Sequence, residues 1–255
     1  MIYTFVRAVF LFFLSICSLY VIADSKIKLT IGEWPPFMAE GYKHKGVMSH
    51  IVEEAFKAEG IEVQYRFYPW KRAYNEAEEG KEWQGTVGWS MSDERKSSFI
   101  YTEPVMKLKD VFFHRKDMQF DWKTFDDLKK YRIGASVGYF YGDEFEGAEK
   151  EKKIKVYRIS KDASNMKKLV DGKIDLFPQT LGVGYEMIET MPEAKGVIIH
   201  HPHPIRETDY YLIISKKADN AQTYVDAFNK GMEKIKASGM YEQILKDSAE
   251  GKYRQ

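Results

Sequence analysis

The chain has 255 residues, and its 39 Lys and Arg against 38 Asp and Glu give a formal net charge of +1. So even a balance leaves no electrostatic footprint for nucleic acid. A single cysteine excludes a disulfide framework, and the length supports one large or two modest domains.

Residues 1–23 read as an export leader. Arg7 supplies a short positive region, Ala8 to Ile22 an apolar one, and Val21-Ile22-Ala23 a small-residue cleavage site before Asp24. The run is too short, and too closely followed by polar sequence, for a membrane span. Cys17 follows Ile16 rather than a small residue, so it belongs to the leader and not to a lipid anchor. Cleavage removes Cys17 and Arg7, leaving a soluble periplasmic chain without cysteine and with a net charge near zero. No later stretch is apolar enough to span a bilayer.

Beyond the leader, strands and helices alternate. Lys26 to Ile31 predicts a strand ending in a Pro-rich loop, Val47 to Ala58 a helix stopped by Gly60, and Glu62 to Phe67 a strand. Trp70 to Glu79 predicts a helix ended by Gly80, with short strands at Thr86 to Trp89 and Lys107 to His114. A short helix follows Thr124, which has an acid three residues on. Strands are predicted at Arg132 to Val137, Lys155 to Ile159, Ile174 to Phe177, Val197 to His200 and Tyr210 to Ile214. Helices are predicted at Ala163 to Val170, Gly184 to Thr190 and Ala221 to Ala237. The charge run Glu149 to Lys155 reads as a solvated loop. This alternation predicts a parallel-rich α/β architecture, and its restart near Thr124 predicts two lobes.

Open α/β sheets bind ligands beyond the carboxyl ends of their strands. That rule nominates Glu33 and Trp34, Tyr68 to Trp70, Gly88 to Ser92, Gly138 to Phe140, and Pro178 to Thr180. Rings at Trp34, Trp70, Trp89, Tyr139 and Phe140, with a few charged anchors, suit a small-molecule cleft. Arg95 offers a planar fork for a carboxylate, with the Ser90 hydroxyl beside it. Arg72 is a second candidate cation. His200-His201-Pro202-His203 does not predict a metal, because neighbouring strand residues point to opposite faces. There is no nucleophile–base pair, phosphate-cradling glycine loop or zinc signature, so no cofactor is expected.

Four segments, in order, resemble the family 3 extracellular solute-binding proteins. They are Gly32-Glu33-Trp34-Pro35-Pro36-Phe37, Gly88 to Arg95 with Phe99 to Pro104, Gly172-Lys173-Ile174-Asp175, and Asn229-Lys230-Gly231 through Gly239-Met240-Tyr241. The resemblance covers essentially the whole chain after the leader. It implies a two-lobed type II periplasmic binding protein fold, each lobe a mostly parallel sheet flanked by helices. It also implies two crossings, giving lobe one as 24–114 plus 207–255 and lobe two as 115–206. The function it implies is capture of an amino acid or related carboxylate by a monomeric receptor, for an inner-membrane ABC transporter permease.

By the same resemblance, Arg95 and Ser90 grip the carboxylate, Trp34 and Trp70 are cleft rings, and Tyr139, Gln179 and Thr180 contribute from lobe two. This chain departs from the pattern. Thr180 stands where the ammonium-binding Asp is expected, Tyr139 and Phe140 replace Ser/Thr hydroxyls, and His50 replaces an early helix acid. Thr cannot supply charge to a desolvated ammonium, so Glu33 is the candidate replacement. Two alternatives remain. One is an enzyme on the same fold acting on a small carboxylic acid, with Glu33, Glu186 or His50 as acid or base. The other is a sensing module without transport.

Overall fold

The computed structural model describes residues 25–254; the leader reading, with Cys17, lies outside them. The chain opens with β1 (Ser25–Ile31), α1 (Val47–Lys57), β2 (Ile61–Phe67), α2 (Trp70–Glu79) and β3 (Gly85–Ser90). A short α3 (Asp93–Ser98) leads into the long β4 (Phe99–Arg115). Then come β5 (Arg132–Ser136), α4 (Asp143–Lys150), β6 (Lys155–Ile159), α5 (Asp162–Val170), β7 (Phe177–Thr180) and α6 (Leu181–Thr190). The second long strand, β8 (Ile198–Ser215), precedes α7 (Ala221–Ala237) and α8 (Met240–Ala249).

Strands β2, β1, β3, β8, β4 and β7 form one sheet in that order, while β5 and β6 form a parallel pair. β1 runs parallel to β2 and β3, as strand–helix alternation demands. β3–β8, β8–β4 and β4–β7 are antiparallel. Ile133 bridges to Leu176, which joins the small parallel pair to the segment before β7.

Burial follows the helix stripes. In α1, Val47, Met48, Ile51, Val52, Ala55 and Phe56 are buried, and they meet Val225, Phe228, Met232 and Ile235 of α7 in one core with β1. Gly231 lets the two helices touch, because a Cβ there would lie 1.9 Å from the Ala55 carbonyl oxygen. Two further cores form beyond Leu108. One gathers Phe112, Trp122, Phe145 and Leu176; the other gathers Val111, Phe113, Phe177 and Ile188. The fold is two-lobed α/β.

Several expectations need correction. The strand expected at Lys107 to His114 begins already at Phe99, and those at Val197 to His200 and Tyr210 to Ile214 are the two ends of β8. Pro104, Pro202 and Pro204 look like strand breakers, but the ladder absorbs them with register shifts. The strand expected at Ile174 to Phe177 lies at Phe177–Thr180. The charge run is no simple loop. Its Glu149 sits in α4 and pairs with Arg158. Helices α3, α4 and α8 lie outside the expected elements: α3 buries none of its residues, α4 buries only Phe145 and Ala148, and α8 only Ile244.

Candidate functional site

A cleft of about 400 Å³ lies where the strand ends converge. Glu33 and Trp34 follow β1, Trp70 opens α2, and Gly88, Trp89 and Ser90 end β3. Tyr139, Phe140 and Tyr141 come from the loop after β5, and Gln179 and Thr180 end β7. The long strands add Asp110 from β4, and Arg206 and Tyr210 from β8. One wall is a chain of rings. Trp34 packs on Tyr210 at 5.0 Å between centroids and on Trp70 at 6.3 Å, and Trp70 meets Trp89 edge-on at 5.4 Å. Glycine makes this wall possible: at Gly88, whose φ is +89°, a Cβ would lie 2.5 Å from Met38 Cε and 3.2 Å from the Trp70 ring.

The opposite wall is a hydrogen-bonded network. The Tyr139 and Gln179 side chains donate to Asp162 at 3.1 and 3.0 Å, and Ser136 donates to the same carboxylate. Arg158 donates to the carbonyls of Ser136 and Tyr139 while held by Glu146 and Glu149, which fixes the loop carrying the rings. Burial, then the nearby Asp162 charge, pushes the Tyr139 phenol well up, and burial raises Tyr141 to about 12. Burial also raises Tyr210, with Asp110 adding to the effect. All three phenols keep their protons at neutral pH.

At the floor, the Asp110 carboxylate accepts from Thr180 Oγ1 at 2.7 Å and from Arg206 Nε at 2.6 Å. Asp110 and Arg206 are ladder partners of β4 and β8. The Arg206 guanidinium lies 5.3 Å from the Phe140 ring centre.

A family model for the bacterial extracellular solute-binding proteins, family 3, matches residues 28–248. The chain belongs to this family. A probable histidine-binding protein of Campylobacter jejuni is 24% identical over 88% of this chain and 86% of its own length. One from Neisseria gonorrhoeae is 24% identical over 83% and 78%. Among solved structures, the open form of the second substrate-binding domain of Lactococcus lactis GlnP is similar with a TM-score of 0.71. It is 20% identical and covers 89% of this chain and 96% of that one. A second substrate-binding domain from Streptococcus pneumoniae gives 0.69, 19% identity, and 88% and 99% coverage. At these identities the structures establish the fold alone.

Set against the family 3 pattern, the cleft brings together Glu33, Trp34, Trp70, Trp89, Ser90, Tyr139, Phe140, Gln179 and Thr180. It does not gather the two expected cations. Arg95 donates from Nη1 to the Ser90 carbonyl at 2.9 Å and lies 4.9 Å from the Trp89 ring centre. It faces a separate shallow pocket with Lys71, Tyr74 and Glu94. Arg72 pairs with Glu76 on the exposed side of α2 and stacks on Tyr68. Glu33 accepts from the Glu40 backbone N–H through one oxygen.

Sequence reasoning missed Asp110, Tyr141, Arg206 and Tyr210. Arg206 enters the sequence reading only as the last residue of lobe two, since nothing local marks a strand residue that faces a cleft. Of the acids weighed for catalysis, Glu186 is buried against Tyr42 and Arg254, outside the cleft. His50 stacks on His44 and meets the Tyr253 hydroxyl. His200 and His201 face different partners, Tyr185 and Asp121. Among the described residues no three His, Cys, Asp or Glu cluster as a metal site, and no helix is long and apolar enough to cross a membrane.

Proposed function

We propose that this family 3 receptor is exported through a cleaved leader at residues 1–23 and works in the periplasm. There it closes two lobes around one small polar solute, an amino acid or related carboxylate, and delivers it to an inner-membrane ABC permease. The lobes are 24–114 plus 207–255, and 115–206. The observation that carries the reading is that one cleft draws residues from both sides of the crossing. Trp34, Trp70 and Ser90 come from elements built on the first core, and Tyr139, Phe140 and Gln179 from elements built on the other two. A solute touching both favours the closed state, which is what lets a partner distinguish loaded from empty receptor. The core division, between Leu108 and Val111, lies within a few residues of the proposed first boundary. The names of the two histidine-binding relatives support an amino acid as ligand, with Glu33 receiving the ammonium in place of the missing Asp. The receptor acts as a monomer, needs no cofactor and performs no catalysis.

A thermal-shift screen against amino acids, small carboxylates and amines tests this. A ligand at a hundred times its Kd adds about 2.7 kcal/mol of stability, and it must be recovered chemically unchanged. Turnover of the bound compound would overturn the receptor reading.

A further inference from the structure

Resting on that receptor reading, the geometry points to Arg206, and not Arg95, as the residue that receives the anionic group of the solute. Three observations carry it. First, Arg95 does not line the cleft: its Nη1 donates to the Ser90 carbonyl, its guanidinium lies 4.9 Å from the Trp89 ring centre, and it faces the pocket of Lys71, Tyr74 and Glu94. Second, Arg206 does line the cleft, and only its Nε is engaged, by Asp110. Among the described residues its two terminal nitrogens have no hydrogen-bond partner, which leaves the paired N–H edge that matches a carboxylate bidentately. Third, the guanidinium is held in place. The Asp110 carboxylate that anchors it is buried and receives a second hydrogen bond from Thr180, so it is not itself available to the solute. Phe140 covers one side of the group, and a Cβ added at Gly142 would lie 3.5 Å from the Arg206 Cδ, so the stem runs close to that turn.

Charge follows the same logic. Asp110 offsets Arg206, so the unloaded cleft floor is a neutral pair, and an arriving carboxylate completes an Asp–Arg–carboxylate triad. Trp34 and Trp70 line the same space as its apolar wall. Because Arg206 and Asp110 are ladder partners on the strands that join the lobes, a solute gripped there contacts the crossing itself.

Titration calorimetry of the full chain with three matched pairs tests the assignment: L-histidine and histamine, L-arginine and agmatine, L-phenylalanine and phenethylamine. Each pair differs by the carboxylate alone. The wild-type protein is expected to bind an amino acid at least about tenfold more tightly than its decarboxylated partner, the worth of one charge-assisted hydrogen bond. Arg206→Lys keeps a counter-charge for Asp110 but loses the fork, and is expected to weaken that amino acid by at least about tenfold. Arg95→Ala removes a support of Ser90 and Trp89 but no solute contact, so it is expected to weaken both members of the pair alike and to keep the preference for the amino acid at about tenfold or more. Equal affinity for both members of the bound pair overturns the assignment without any variant. So does a loss of the preference for the carboxylate in Arg95→Ala with Arg206→Lys unchanged. A wild-type protein that binds none of the six probes, and no amino acid in the thermal-shift screen, overturns the amino-acid reading itself. That failure is distinct, because it precedes any substitution.

Discussion

Arg254 donates to the Glu186 carboxylate at 2.9 Å, and the two residues stand on different cores. Glu186 belongs to α6, whose Ile188 is in the third core, while Arg254 follows Tyr253 of the first. Tyr42 donates to the other carboxylate oxygen, and burial, then that bond, raises its phenol to about 12. Glu186 is 5% exposed, so its charge needs both partners. Arg254→Ala is expected to destabilise the protein by about 1–3 kcal/mol, below the cost of breaking a fully buried pair because Arg254 keeps solvent access. Urea denaturation measures it, and Arg254→Lys should recover part of the loss.

The outer face of α1 should give the protein opposing pH dependences. Burial raises Glu53 to about 7, so the folded state holds a proton that the unfolded chain releases near 4.5. The stability tied to that proton is present below pH 4.5 and lost as pH rises to about 7. Glu53→Gln should therefore gain on the order of 2 kcal/mol at pH 8 and little at pH 4.

His50 runs the other way. Burial, then the stacked His44, lowers it to about 4. Its share of stability is present above pH 6.5 and lost as pH falls towards 4. Denaturant midpoints of His50→Gln at pH 5 and pH 8 should show a smaller acid loss than wild type. An unchanged pH slope would contradict the assignment.

Gly231→Ala should cost about 3 kcal/mol, at the upper end of overpacking penalties, because the added methyl meets backbone rather than a movable side chain. The check is a thermal melt; a change under 1 °C would mean that α1 and α7 separate more easily than their contact implies.

Arg158 touches two loop carbonyls and two acids, and it does not line the cleft. Arg158→Ala should loosen 137–141 and weaken solute binding by about tenfold, through lost preorganisation of Tyr139 to Tyr141. Hydrogen exchange over that loop should rise in parallel. Faster exchange without weaker binding would mean the loop wall contributes little affinity.

Much of this architecture is legible in the chain before any coordinates. Val47, Ile51 and Ala55 announce α1, Trp70 to Glu79 is bounded by its own Pro69 and Gly80, and strand-end rules find most of the cleft rings. What escapes is set by tertiary contact. No local pattern says that Phe99 to Arg115 is one strand, since Pro104 argues against it and only the pairing with β8 decides it. The side-chain direction of Arg95 is fixed by Ser90 and Trp89, not by its place in a motif. Arg206 is found only when β8 is laid beside β4, which sets it against Asp110.

The continuity of β4 and β8 has a mechanical consequence. Both crossings are ladder-paired strands, interrupted by register shifts between Asp110 and Val111 and again before Phe113. On the proposed lobe division, the two lobes are therefore joined by a paired ribbon rather than by a pivot at one residue. A ribbon behaves as a torsion spring: its resting angle and stiffness are spread along many bonds. Substitutions far from the rings can then tune how readily the jaws shut, in small graded steps, while the chemistry of recognition stays untouched.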